Sequence, residues 1–173
     1  PVTTSIAESQ YFFNQGLRLT YAFNHSEALR AFKEAVRLDP ANAMAYWGWA
    51  LVLGPNINLP MQTYVREQAF KAIQKASELT TLVSKREAAF IDALARRYSD
   101  DPSVTRPTLD RDYAEAMKGV VTRYPADLDA LTLYGAALMN LSPWDYWHGD
   151  MSPKSDTYKI LDAFESVLER DPR

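Results

Sequence analysis

The chain has 173 residues, 47% of them hydrophobic, and a formal net charge of −3. That is one domain's worth of sequence, long enough to bury a core. The weak negative charge argues against a broad nucleic-acid or anionic-membrane surface, and no apolar run nears the roughly 18 residues of a membrane span. The absence of cysteine excludes disulfides and thiolate-bound metals and leaves the redox compartment open.

Six glycines and no strand-like alternation predict an all-α chain. Eight helices are predicted, over 5–23, 25–38, 42–54, 62–79, 85–98, 108–124, 128–141 and 154–170. Start signals support several of them. Asn24 with Glu27, and Ser84 with Glu87, read as capping boxes. Asp127 can cap the seventh helix. Pro107 and Pro153 suit first-turn positions.

One phrase recurs along these helices. Ala28, Phe32 and Ala35 lead to Pro40; Tyr113, Met117 and Val120 to Pro125; Ile160, Phe164 and Val167 to Pro172. A fourth copy, Ala69, Ile73 and Ala76, has Thr81 where the proline would stand. Spacings of four and three put these residues on one helix face, and the proline ends the helix. A second phrase joins a bulky residue to a small one. It runs Phe12, Gln15, Gly16 and Leu19, then Tyr46, Trp49, Ala50 and Leu53, and near the end Leu131, Tyr134, Gly135 and Leu138.

Together the two phrases resemble the tetratricopeptide repeat, over Tyr11 to Pro172. Gln15 departs from the family's leucine, the second unit lacks its proline, and the third has a blurred first helix over Ser84 to Tyr98. The resemblance implies a right-handed α-solenoid of about four antiparallel helix pairs, with units near 9–42, 43–83, 84–126 and 127–173 in a single domain. The stretch from Tyr11 to Met61 is also similar to a bacterial subgroup of longer, often exported repeat proteins. That implies a bacterial chain, exported or periplasmic, or otherwise cytoplasmic. The first residue is Pro1 and not methionine. The expectation is therefore a piece of a longer chain, with a leader removed or lying outside it.

The register of the phrases carries more. Gly16 and Ala28 are 12 apart, Ala50 and Ala69 19 apart, Gly135 and Ile160 25 apart, whereas Ala28 to Ala50 and Tyr113 to Gly135 are both 22. The extra residues thus fall inside units, between first and second helix. Long loops are expected on one edge of the array, at Gly54 to Pro60, Ser99 to Pro107 and Ser142 to Pro153. In the third, Trp144, Tyr146 and Trp147 are candidate partner anchors, or else the tryptophans fold back onto the array. In the first, Asn56 and Asn58 could bond a ligand or satisfy their own loop.

By resemblance the first helix of each unit lines the concave face. Phe13, Leu17, Tyr21, Trp47, Leu51, Thr132, Ala136 and Met139 would then form an aromatic groove for a peptide or partner protein, or pack beneath the long loops. Phe13 and Trp47 stand where the polar residues of a carboxylate-gripping set would be, so no such clamp is expected.

No Gly-rich phosphate loop or nucleophile elbow occurs. His25 reads as a cap residue. His148 with Asp145 and Asp150 lacks further ligands for a metal. Asp92, Asp100, Asp101, Asp110 and Asp112 follow solvent faces and caps, and Lys85-Arg86 and Arg96-Arg97 read as solvated pairs. The expectation is therefore no catalytic residue, cofactor, metal or nucleic acid, but a protein-interaction scaffold. The alternative is self-assembly into a homo-oligomer through the final helix, which ends at Asp171-Pro172-Arg173 without a polar cap. A small-molecule or enzymatic role at the loop edge ranks third.

Overall fold

The computed structural model describes residues 1–172. Eight α-helices form: α1 Ala7–Tyr21, α2 His25–Leu38, α3 Ala43–Leu53, α4 Arg66–Glu78, α5 Lys85–Ala95, α6 Arg106–Arg123, α7 Leu128–Met139 and α8 Thr157–Arg170. Among the described residues there are no strands, only the isolated bridges Asn56–Leu59 and Trp147–Pro153. Consecutive helices pack as antiparallel pairs, and the first helices also stack, α1 on α3 and α3 on α5. The described residues form an all-α array of four antiparallel helix pairs.

The prolines end the helices as their chemistry requires. A residue before proline is pushed out of the helical region. Asp39, Tyr124 and Asp171, each followed by proline, have φ of −138°, −129° and −139°. The unit without the proline ends instead in a 3-10 turn, Thr80–Leu82, before the Ser84 cap. Ser84 and Glu87 form a complete capping box. Asn24 caps α2 but gets no answer from Glu27, whose carboxylate pairs with Arg30. Asp127 caps α7, and Pro107 lies in the first turn of α6. Pro153 does not open a helix. It bridges to Trp147, ahead of a helix that begins at Thr157.

The recurring phrase is the core. Ala28, Phe32 and Ala35 are fully buried, as are Ala69 and Ala76. Phe32 is wedged between helices: a Cβ on Gly16 would stand 2.8 Å from its ring, and one on Gly48 2.3 Å. Glycine at both positions lets α1 and α3 close on the same ring. Gly135 repeats the device against Phe164, at 2.9 Å.

The N-terminal segment is tied across the array. Glu87 of α5 accepts from Thr3 N and Thr3 Oγ1, both at 2.6 Å, and from Ser84 N at 2.9 Å and Ser84 Oγ at 2.7 Å. Burial pushes the Glu87 carboxyl up, but these bonds outweigh it and hold its pKa below the usual value. A depressed carboxyl pKa stabilises the fold above the unfolded value, about 4.3, and that stabilisation fades as pH falls through the lower folded value. Glu87→Gln should therefore cost about 2 kcal/mol at neutral pH. Its melting curve should converge with wild type as pH drops toward about 3. Parallel curves over that range would show that the carboxylate contributes nothing.

Candidate functional site

The intra-pair turns stand on one edge of the array, at 22–24, 54–65, 96–105 and 140–156. Three of them are linked. In the first, Phe23 stacks on His25, with ring centroids 6.0 Å apart. His25 Nδ1 lies 3.2 Å from Asn56 Nδ2 in the second. Trp144 of the fourth donates its indole N–H to Ile57 O at 2.8 Å.

Behind these turns lies a cleft of about 400 Å³. Every unit contributes to its wall. Thr20, Tyr21, Phe23 and His25 come from the first, Leu51, Pro55, Asn56 and Ile57 from the second, and Arg97 and Tyr113 from the third. The fourth supplies Thr132, Leu133, Ala136, Ala137, Met139, Asn140 and Phe164. Two other depressions of similar volume draw on one unit only, around Tyr46, Trp49 and Tyr64, and along α1 from Tyr11 to Leu19. The cleft is the place where the whole array converges.

The expected groove residues divide. Tyr21, Leu51, Thr132, Ala136 and Met139 do line the cleft. Phe13 and Trp47 do not face open space. Phe13 is 4% exposed and packs on Phe32 with centroids 5.7 Å apart. Trp47 is 3% exposed, lies edge-on to Phe90 at 6.0 Å, and donates its indole N–H to Phe90 O at 3.1 Å. The stacking of the first helices consumes that stripe. Leu17 is half-buried against the core.

The loop residues divide as well. Asn56 satisfies its own loop, its Oδ1 accepting from Asn58 N at 2.9 Å and Leu59 N at 3.1 Å. Asn58 is exposed. Tyr146 packs inward and donates to Met139 O at 3.3 Å. Trp144 and Trp147 are exposed, Trp144 to 70%, although the Trp144 indole N–H reaches across to Ile57 O. Asp150, weighed with His148 for a metal, accepts from Ser152 N at 3.0 Å and from its hydroxyl at 2.6 Å. Among the described residues no three ligating side chains converge.

Two charges read as solvated are buried. Arg97 is 3% exposed, and Asp110 is buried beside it. Arg97 Nε reaches Asp110 Oδ1 at 3.4 Å, its Nη2 donates to Pro55 O at 2.8 Å, and the guanidinium lies 4.8 Å over the Tyr113 ring. Burial pushes the Tyr113 phenol up to about 12. Arg86 is also no free surface charge. It bonds Asp127 and Asp129 and lies 4.8 Å over Phe90. Tyr21 donates to Asp129 at 2.7 Å, closing α1 against α7. Burial and then the Asp129 carboxylate push the Tyr21 pKa well up, so the phenol remains a donor. A signal for Arg97 did exist: it follows Phe90 and Leu94 by seven and three, on their buried stripe.

No family model matches the chain, and no curated protein matches it. Among solved structures, one described as "MamA RS-1 ArsTM double mutant" is 15% identical with a TM-score of 0.39, covering 95% of this chain and 76% of that one. No helix among the described residues is long and apolar enough to cross a membrane.

Proposed function

We propose that this protein is a non-catalytic protein-interaction module that takes its partner on the loop edge, not in a groove along the first helices. One observation carries this reading. The non-glycine residues with positive φ among those described are Phe23 at 58°, Trp144 at 63° and Met151 at 66°. All three are large, apolar and exposed, Met151 to 77%. All three stand in intra-pair turns, hence on the same edge.

Left-handed backbone costs a bulky residue about 1–2 kcal/mol. Such strain collects where function requires it. Exposed Leu59 and Trp147, also in intra-pair turns, add apolar surface. Grouped apolar side chains on a rigid frame mark interaction sites, and tryptophan and methionine are frequent anchors there.

A Trp144→Gly/Met151→Gly variant separates binding from stability. Glycine relieves the left-handed strain at both positions, so helicity and melting temperature should hold or rise. The lost indole bond to Ile57 costs about 1 kcal/mol in the other direction. Partner affinity, measured with the protein cross-linked to the wild-type chain, should fall by about thirtyfold, the effect of losing an anchor worth ~2 kcal/mol. Unchanged affinity would sink the loop edge as the site.

A further inference from the structure

The cleft behind that edge has a chemistry that the apolar loop tips do not use. Of its lining side chains only Arg97 carries a permanent charge, and no carboxylate lines it. Arg97 Nε and Nη2 are occupied by Asp110 and by Pro55 O. Nη1 makes no hydrogen bond among the described residues. It lies beside Gly54, where an added Cβ would come within 3.0 Å of it. Asp110 is shared: Arg106 Nη2 reaches the same Oδ1 at 3.2 Å. Two guanidiniums therefore face one carboxylate, which leaves one positive charge uncompensated. Arg106 keeps part of its hydration, whereas Arg97 is almost wholly buried and shares the single carboxylate, so an anion reaching Arg97 from the cleft would be stabilised.

The neighbouring groups do not cancel this charge. Burial pulls the His25 pKa down, against a backbone bond at Thr20, and the Arg97 charge pulls it further. Asp127 and Asp129 stand outside the lining and are engaged by Arg86, Tyr21 and the α7 cap. Asn140 Oδ1 is buried without a protein partner at the same wall.

Size and closure narrow the occupant. About 400 Å³ is in the lower part of the range for small-molecule sites. The bonds Tyr21–Asp129, His25–Asn56 and Trp144–Ile57 link neighbouring elements around the cleft, which favours a compact occupant over an extended peptide. We propose that the cleft binds a free small carboxylic acid with an apolar body, its carboxylate on Arg97 Nη1 and its hydrocarbon against Leu51, Leu133, Met139 and Phe164.

Calorimetric titration of the whole chain with octanoate and with octanol tests this. Octanoate should bind at least about tenfold tighter than octanol, the difference a charge-assisted bond supplies. Ala136→Trp, which fills the cleft, should abolish octanoate binding. Arg97→Lys should weaken octanoate by about tenfold and leave octanol unchanged. Equal affinity for acid and alcohol, no binding of octanoate, or octanoate binding that survives Ala136→Trp would each overturn the proposal. If Arg97→Lys fails to fold, the acid–alcohol comparison and the filled cleft still decide. A short peptide ending in a leucine carboxylate should bind more weakly than octanoate. Tighter binding of the peptide would overturn the assignment to a free acid. Failure here leaves the loop-edge reading standing, because that is read from partner affinity in the Trp144 and Met151 variant.

Discussion

Replacing Phe32 by alanine should remove about 3–5 kcal/mol of stability, the cost of deleting a fully buried phenylalanine. Domains of this size are typically stable by about 5–15 kcal/mol, so the variant should sit at the margin of folding. The reason is position as well as size. The ring fills the space that Gly16 and Gly48 leave open, and so joins the first pair to the second. Gly48→Ala should be destabilising from the other side. Its new methyl would fall 2.3 Å from the ring, which Gly16 and the Phe13 ring hem in. Overpacking of this kind costs about 1–3 kcal/mol. Phe32→Leu combined with Gly48→Ala should recover part of that loss, a coupling that urea unfolding of the four species would measure. An additive result, with Gly48→Ala neutral, would mean that the ring is not wedged between the helices.

Trp47→Ala should cost about 3–5 kcal/mol as well, and for a reason that separates it from Trp144. Trp47 bonds Phe90 O and packs on the Phe90 ring, so it ties α3 to α5 and the second unit to the third. Its removal leaves a cavity in the core and takes the indole bond from Phe90 O, which keeps only its bond within α5. Trp144 makes one bond, to Ile57 O, and is otherwise exposed. Equilibrium unfolding of the two alanine variants should therefore differ by several kcal/mol, with Trp144→Ala within about 1 kcal/mol of wild type. If Trp47→Ala kept full stability and lost partner binding, the first helices would be the recognition surface after all.

The helices and their pairing were legible because their signals are local. Apolar spacing, caps and a following proline act within one turn of helix, and each acts again in the next unit. The lengthened turns were legible for the same reason, as interruptions of a constant register. The inner face was not. Whether Trp47 meets a groove or a neighbouring helix depends on how closely α3 and α5 stack, and that contact, with Phe90, lies outside the recurring phrase. Arg97 was hidden by its neighbour Arg96, since a charged pair reads as solvated unless its place on the Phe90 and Leu94 stripe is weighed. The strained backbone at Phe23, Trp144 and Met151 had no sequence signal, because nothing in a bulky side chain asks for positive φ. The Phe23–His25 stack within one turn and the long-range bond from Trp144 to Ile57 hold those turns in place.

A photo-activated cross-linker at single positions would show whether partners dock on the intra-pair edge. One copy would carry it at Met151 on that edge, and another at Ala126, exposed in the turn between α6 and α7 on the opposite edge. A defined partner adduct from position 151, absent from position 126 and lost in the Trp144→Gly background, is the expected result. Adducts from 126 alone, or from both positions equally, would contradict it.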